Sequence, residues 1–134
     1  MSIPVCVVDA SVGVKWFRNE PGSQQARALV HDHIAGRHVL AVDTLFAYEV
    51  LRAASRDGCS EDALRVWHDL EGLELITIPL GDELVEAAAA VRADCGCSLY
   101  DAFSAGLADL LGARFFSADA RAHAAHPRAV IVGE

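Results

Sequence analysis

Short apolar runs alternate with amphipathic stretches along the whole chain, which predicts strands separated by helices. The predicted strands are residues 3–8, 38–42, 73–78, 113–117 and 129–132. The predicted helices are residues 10–19, 23–35, 44–56, 60–70, 81–94, 99–111 and 118–125. Strands that alternate with helices build a parallel sheet covered on both faces. We therefore expect one α/β domain over residues 1–134, a three-layer α/β/α arrangement with a central, mostly parallel five-stranded sheet.

Apolar periodicity gives two of these helices an inward face. In the second helix the predicted inward residues are Ala26, Leu29, Val30 and Ile34, and in the fourth they are Leu64, Trp67 and Leu70. Two polar residues are placed to cap helices, Asp43 before the third helix and Ser60 at the start of the fourth.

Composition places the chain among ordinary soluble proteins, with 53% hydrophobic and 22% charged residues. No apolar run approaches the roughly 18 residues that span a bilayer. The first residues, Met1-Ser2-Ile3-Pro4, lack the basic region and cleavage site of a signal peptide, so we expect a cytoplasmic protein. The cysteines lack the two-pair spacing of a zinc finger and are expected to be free thiols: Cys6, Cys59, Cys95 and Cys97.

The formal net charge of −8 argues against a stable, non-specific nucleic-acid binder, because phosphate contacts need clustered Lys and Arg. It does not exclude a nuclease, since an acidic metal centre would contribute much of that charge. It also suits a partner that offers a basic segment.

Four acidic residues stand where a lone surface charge would be out of place. Asp9 closes the apolar run 5–8, Glu49 interrupts the apolar stripe of the third helix, and Asp101 opens the apolar stretch 102–111. Asp119 follows the last residue of Phe115-Phe116 by three positions. Two carboxylates about 5 Å apart repel by roughly 3 kcal/mol at an effective dielectric constant of about 20. A divalent cation is the shared explanation that this arrangement favours.

The predicted topology lets these carboxylates meet. Ligands of an open parallel sheet bind outside the carboxyl ends of its strands, where Asp9 and Asp119 follow predicted strands. Glu49 and Asp101 lie in the first two turns of helices that begin near the same rim. Oxygen donors select Mg²⁺ or Mn²⁺, and no His or Cys is placed to compete. One or two such ions could activate water and hold a phosphate oxygen.

Three of the four residues also have a purely structural explanation. Asp9 and Asp119 each precede a predicted helix that they could cap. Asp101 follows Ser98 by three residues, which is the spacing of a capping box. Glu49 is harder to explain in this way because it falls on a buried stripe. Four such coincidences together are improbable, so a shared site is the better interpretation.

These residues resemble the four acidic motifs of PIN domains, and most of all those of VapC-type toxin ribonucleases. The matching segments are Val7-Val8-Asp9-Ala10-Ser11, Tyr48-Glu49-Val50, Leu99-Tyr100-Asp101-Ala102 and Ser117-Ala118-Asp119. They occur in the family's order and spacing over the full chain. Each motif is weak alone, whereas the set of four is specific.

The resemblance implies a Mg²⁺- or Mn²⁺-dependent endoribonuclease that cleaves RNA phosphodiester bonds with metal-activated water. It implies metal ligands at Asp9, Glu49, Asp101 and Asp119, with hydroxyl groups of Ser11 and Ser117 assisting the site. It also implies a homodimer, and inhibition by a DNA-binding antitoxin of the VapB type whose tail covers the active site.

Two positions depart from the family pattern. Some relatives carry a further acidic residue where this chain has Arg121-Ala122-His123, which leaves a second metal position in doubt. Asp43 stands where an apolar residue or proline is more usual. We interpret Asp43 as a helix cap that points away from the face of Glu49.

Other polar and aromatic residues are given secondary roles. The histidines are expected on the surface: His31, His33 and His38 on a solvated face, and His123 and His126 flanking the fourth motif. Trp16 and Phe17 are expected in the core or a dimer interface. The basic candidates for contacting the RNA backbone are Lys15, Arg18, Arg52 and Arg121, and Arg52 is equally placed to pair with Glu49.

Other functions remain open at this point. The chain could be a catalytically inactive PIN-fold binding module, a PIN nuclease outside a toxin–antitoxin pair, or a nuclease that acts on DNA. A phosphatase with Asp9 as nucleophile would want a second Asp two residues later, where this chain has Ser11.

Overall fold

All five strands run parallel in a single sheet in the computed structural model, which describes residues 2–133. The strands are β1 (Val5–Val8), β2 (Val39–Asp43), β3 (Ile76–Ile78), β4 (Arg114–Ser117) and β5 (Ala129–Ile131). Their order across the sheet is β3-β2-β1-β4-β5. The predicted five-stranded sheet is confirmed, and each of its four pairings is parallel.

Seven helices connect the strands within residues 2–133. They are α1 (Ala10–Phe17), α2 (Ser23–Ile34), α3 (Leu45–Ala54), α4 (Ser60–Gly72), α5 (Asp82–Cys95), α6 (Leu99–Leu111) and α7 (Ala120–His123). Helix α6 has the bounds that its sequence predicts, because Ser98 caps its start and Gly112, at φ 61°, ends it.

The sheet is covered on both faces, as in a three-layer α/β/α fold. Alternate residues of each strand point to opposite faces. On one face Cys6, Val8 and Leu40 pack against helices α1 to α4. On the other face Val7 and Phe115 pack against α5 and α6.

Two glycines let helices that carry predicted site residues pack closely. A Cβ atom at Gly13 of α1 would lie 2.5 Å from the ring of Phe46 on α3. A Cβ atom at Gly106 of α6 would lie 2.8 Å from the backbone nitrogen of Ala88 on α5. These contacts fix α3, which carries Glu49, and α6, which carries Asp101.

Three apolar residues predicted to face the core are exposed instead. Ile34 is 70% exposed, Leu64 56% and Trp67 41%. Helix α4 buries Val66 and Leu70, so its inward stripe is set by residues four apart rather than by the largest side chains. Ile34 is the last residue of α2 and is not among the residues that this helix buries, which include Ala26 and Leu29.

The predicted helix caps differ in their outcome. Ser60 is the first residue of α4 and makes no capping bond; Cys59 occupies the cap position without a side-chain hydrogen bond. Asp43 does cap α3, as described below.

The four cysteines are free thiols, as predicted. None of the helices within residues 2–133 has the length and apolar character needed to cross a membrane.

Candidate active site

The sheet reverses its direction of winding between β1 and β4. From β1 the chain moves to β2 and β3 on one side, and later to β4 and β5 on the other. The backbone N–H of Asp9 donates to the carbonyl of Phe116 at 2.9 Å, which places Asp9 where the two strands end. Ligands of open α/β sheets bind at such a switch point.

Both carboxylate oxygens of Asp9 accept hydrogen bonds. Oδ2 accepts from the backbone N–H of Ser11 at 3.0 Å and from its hydroxyl at 2.6 Å. Oδ1 accepts from the hydroxyl of Ser104 at 2.7 Å. Asp9 therefore caps α1, and its side chain is also held from α6, on the opposite face of the sheet.

Glu49 lies among other carboxylates. Burial, followed by the nearby charges of Asp9, Asp43 and Asp101, raises the pKa of Glu49 to about 7, and Arg52 opposes the increase. Glu49 is half-buried in the second turn of α3. We use the term acidic cluster for Asp9, Asp43, Glu49 and Asp101. The predicted ligands Asp9, Glu49 and Asp101 thus share one region of the molecule.

Asp43 is a member of this cluster, which the sequence interpretation missed. Its Oδ1 accepts from the backbone N–H groups of Leu45 at 2.9 Å and Phe46 at 3.1 Å, so its predicted role as a cap is correct. Burial raises the pKa of Asp43, the two backbone bonds oppose the increase, and Asp9 adds to it. The prediction that Asp43 points away from Glu49 overlooked that β2 ends at the same rim as β1.

Asp101 and Asp119 line a common cavity of about 410 Å³, which we call the acidic cleft. Its lining residues are Gly96, Cys97, Ser98, Asp101, Asp119, Arg121 and Ala122. The backbone N–H of Asp101 donates to the hydroxyl of Ser98 at 3.1 Å. Oδ1 of Asp119 accepts from the N–H of Ala122 at 3.1 Å. Both residues take part in capping and face a shared space.

The hydroxyl groups of Ser11 and Ser117 hold the loop that carries Asp119. Ser11 Oγ accepts from the N–H of Ala118 at 2.9 Å while donating to Asp9. Ser117 is fully buried, and its Oγ accepts from the N–H of Asp119 at 3.0 Å. The two hydroxyl oxygens lie 3.5 Å apart. Their contacts order the backbone around Asp9 and Asp119.

The prediction that His123 and His126 lie on the surface is wrong. His123 is 1% exposed and His126 is 4% exposed. Both rings pack edge-on against Phe115. Each ring nitrogen has a hydrogen-bond partner, which makes burial of a polar ring tolerable. In the sequence, His123 and His126 are two polar residues three positions apart that follow a capping Asp, and this pattern does not indicate that either of them is buried.

The basic residues proposed to contact RNA have different surroundings. Lys15 is buried, and its Nζ donates to Glu20 at 3.1 Å and to the carbonyl of Pro21 at 2.6 Å, so it is not free to bind a phosphate. Arg121 is exposed and lines the acidic cleft. Arg52 is exposed and opposes the rise in the pKa of Glu49.

Trp16, Phe17, His33 and His38 make structural contacts. Trp16 and Phe17 pack against the core, and the indole N–H of Trp16 donates to the carbonyl of Ala26 at 2.9 Å. His33 and His38 are half-buried and contact backbone carbonyls, so the solvated face predicted for them is wrong. His31 is exposed as predicted.

The donor set fits a hard divalent cation in chemistry, although the side chains do not converge on one point. Within residues 2–133, no group of three His, Cys, Asp or Glu side chains is arranged so that it could hold a metal ion. Both carboxylate oxygens of Asp9 accept hydrogen bonds from serine hydroxyls, and Oδ1 of Asp119 accepts the hydrogen bond that caps α7. Carboxylate oxygens are nevertheless the ligands that Mg²⁺ and Mn²⁺ prefer. Coordination would require several of these side chains to turn.

Fold and site together define an open, parallel α/β protein with carboxylates gathered at its topological switch point. The sequence model of the PIN domain family matches residues 6–126, and the chain belongs to that family. PIN domains are generally nucleases.

A solved structure of a toxin–antitoxin complex from Klebsiella pneumoniae is similar in fold, with a TM-score of 0.71. The match covers 93% of this chain and 95% of that one at 17% sequence identity, so the similarity concerns the fold alone. No curated protein matches this chain.

Proposed function

We propose that this PIN domain is a Mg²⁺- or Mn²⁺-dependent endoribonuclease that hydrolyses phosphodiester bonds of RNA. The observation that carries the proposal is the gathering of Asp9, Asp43, Glu49 and Asp101 near the switch point of the sheet, where Asp9 follows β1 and Asp43 ends β2. Neighbouring carboxylates repel one another, and this repulsion lowers the stability of the folded protein. These carboxylates lie at the edge of the sheet where ligands of open α/β folds bind. A bound cation would remove that cost.

In this proposal Asp9, Glu49, Asp101 and Asp119 bind the metal, and Ser11 and Ser117 hold the first and last of these residues in place. The cation would lower the pKa of an attacking water and neutralise charge on the phosphate. Arg121, exposed at the acidic cleft, would hold a phosphate oxygen of the substrate. Asp43 would add negative charge beside Glu49 without being a ligand itself.

Cleavage of structured RNA by the purified protein with Mn²⁺ tests this role. Asp9→Asn and Asp101→Asn proteins should lose cleavage, whereas Asp69→Asn, which removes an exposed charge on α4, should retain it. Equal cleavage by the Asp9→Asn and wild-type proteins would contradict the metal role. A matched DNA substrate would show whether the nuclease prefers RNA.

One observation favours a second candidate, a catalytically inactive PIN-fold binding module. As noted above, the carboxylates within the described residues do not stand in a geometry that could hold a metal. A binding module would take up no Mn²⁺ and would cleave neither RNA nor DNA under any metal condition. Titration calorimetry with Mn²⁺, run beside the cleavage assay, separates the two candidates.

We further propose that the protein is the toxin of a VapBC-type pair, acts in the cytoplasm and forms a homodimer. The similarity in fold to a toxin–antitoxin complex from Klebsiella pneumoniae supports this proposal. An apolar groove of about 280 Å³ adjoins the acidic cluster and shares Asp43 with it. The groove is lined by Asp43, Thr44, Leu45, Leu80, Leu84, Leu99, Tyr100 and Phe103. An antitoxin segment with apolar residues and one basic side chain would suit both features and the net charge of −8.

The toxin role has its own test. A short neighbouring gene for a DNA-binding protein should encode the inhibitor, and that protein should abolish RNA cleavage when added in equal amount. RNA cleavage without such a neighbour would place the enzyme outside a toxin–antitoxin pair and leave the nuclease proposal intact. Sedimentation analysis would measure whether the purified chain is a dimer.

A further inference from the structure

A closed ring of hydrogen bonds joins the three chain segments that carry Asp9, Asp101 and Asp119. Ser11 Oγ bonds to Asp9 Oδ2 at 2.6 Å and to the backbone nitrogen of Ala118 at 2.9 Å. The neighbouring residue, Ser117, bonds through Oγ to Nδ1 of His123 at 2.6 Å, and Nε2 of His123 bonds to the carbonyl of Asp101 at 2.7 Å. One turn further along α6, Ser104 Oγ bonds to Asp9 Oδ1 at 2.7 Å and closes the ring. We call it the hydrogen-bond ring. His123 supplies its two bonds between β4 and α6.

The direction of the bonds at His123 follows from the chemistry of its partners. The carbonyl of Asp101 can only accept, so Nε2 carries the proton and donates to it. In the neutral ring Nδ1 is then an acceptor, and the hydroxyl of Ser117 donates to it. The same Ser117 oxygen accepts from the N–H of Asp119. One imidazole therefore ties the backbone of Asp101 to the turn that carries Asp119.

His126 shows what a buried histidine does without this link. It packs edge-on against the same Phe115 ring, at 5.7 Å between centroids compared with 4.9 Å for His123. Its Nε2 contacts Asp109 at 3.0 Å and its Nδ1 accepts from the N–H of Arg128 at 3.1 Å. His126 is thus matched to His123 in burial and packing but holds the far end of α6.

We propose that His123 is a positioning residue that sets the distance between Asp101 and Asp119 across the acidic cleft. The inference rests on the proposed metal-dependent nuclease, because that spacing matters most if the two carboxylates share a cation. Removal of a group that orients a metal ligand by hydrogen bonding typically lowers metal affinity or activity by about 10- to 100-fold.

The experiment compares the wild-type protein with the variants His123→Leu, His123→Gln and His126→Leu. The measurements are the Tm, the Mn²⁺ Kd by titration calorimetry, and kcat and KM with a structured RNA. Both Leu variants should lose stability. The His123→Leu variant alone should bind Mn²⁺ about 10- to 100-fold more weakly and show a lower kcat, with KM little changed. The Gln side chain can still donate to the carbonyl of Asp101, so His123→Gln should recover part of the Mn²⁺ affinity.

Two results would overturn the inference. First, His123→Leu could bind Mn²⁺ and cleave RNA as well as His126→Leu does, and His123 would then serve packing alone. If the His123→Leu variant does not fold, the same comparison is made with folded His123→Gln. The nuclease proposal would survive that result provided that Asp9→Asn remains inactive. If the wild-type protein neither binds Mn²⁺ nor cleaves RNA, the proposed function fails, and the positioning role fails with it.

Discussion

The hydroxyl of Ser104, on α6, donates a 2.7 Å hydrogen bond to Oδ1 of Asp9, the residue that caps α1. The two residues are 95 positions apart in sequence and lie on helices that pack on opposite faces of the sheet. Ser104 follows Asp101 by one turn, so the same face of α6 orients one acidic residue and carries another.

Ser104→Ala should lower kcat for RNA cleavage by about tenfold, since a hydrogen bond to a charged group contributes about 1.5–3 kcal/mol. Oδ1 of Asp9 would lose this hydrogen bond, and only Ser11 would still orient the carboxylate. Steady-state kinetics with Mn²⁺ would measure the change. Ser55→Ala is the matched control, because Ser55 donates to a carbonyl at the end of α3 and contacts none of the acidic residues. Equal kcat values for the two variants would argue against a role for Ser104.

The pKa of Glu49 predicts a pH dependence of stability in the absence of divalent metal. Its folded-state pKa of about 7 lies above the ordinary value of 4.5, so the folded state binds a proton more tightly than the unfolded state. The stabilisation of the folded state by this bound proton is fully present below about pH 4.5 and is lost as the pH rises to about 7. In EDTA, Glu49→Gln should therefore raise the Tm at pH 8 and give little change at pH 4.5. Thermal unfolding followed by circular dichroism would measure both values, and an equal shift at the two pH values would contradict the assignment.

Asp43→Asn separates the cap from the charge at that position. Its amide oxygen can still accept from the N–H groups of Leu45 and Phe46, while the negative charge that raises the pKa of Glu49 is removed. The pKa of Glu49, measured by carboxyl carbon NMR, should fall, and the Tm should not decrease. Asp43→Ala removes the cap as well and should cost about 1 kcal/mol of folding free energy. An unchanged Glu49 pKa in the Asn variant would show that the two carboxylates are not coupled.

Gly106→Ala should destabilise the fold more than Gly13→Ala. The added methyl group at Gly106 would meet the backbone of α5 at 2.8 Å, which can yield only if the whole helix moves. At Gly13 it would meet the ring of Phe46 and the side chain of Val50, which can shift. Overpacking of this kind typically costs about 1–3 kcal/mol, and we expect Gly106→Ala at the upper end. Urea unfolding would rank the two, and the reverse order would contradict the packing argument.

The sequence predicted the fold well because its signals are local and repeated. Strand β1 is a continuous apolar run, β4 contains the pair Phe115-Phe116, and α6 has both a capping serine and a terminal glycine. Orientation was less predictable where it depends on tertiary contacts. Trp67 is large and apolar, yet α4 buries the smaller Val66, because the position of the neighbouring helices sets which face turns inward.

The acidic residues could be singled out because an isolated carboxylate in an apolar stretch is costly. Their supporting residues gave no comparable signal. Ser104 is one hydroxyl in an apolar helix, and the burial of His123 depends on partners brought to it by the fold. Asp43 was identified as a cap, which is correct, but its electrostatic effect on Glu49 requires knowing that β1 and β2 end side by side.

The pairing of β1 with β4 also has a consequence for the order of events during translation. Val8 aligns with Phe116, which is synthesised long after it because β2, β3 and the helices α1 to α6 lie between the two strands in sequence. A nascent chain shorter than this can bury β1 against β2 alone, and its Asp9 stays apart from the residues of the fourth motif. Any chemistry that needs those carboxylates together therefore has to wait until β4 and the fourth motif have been synthesised.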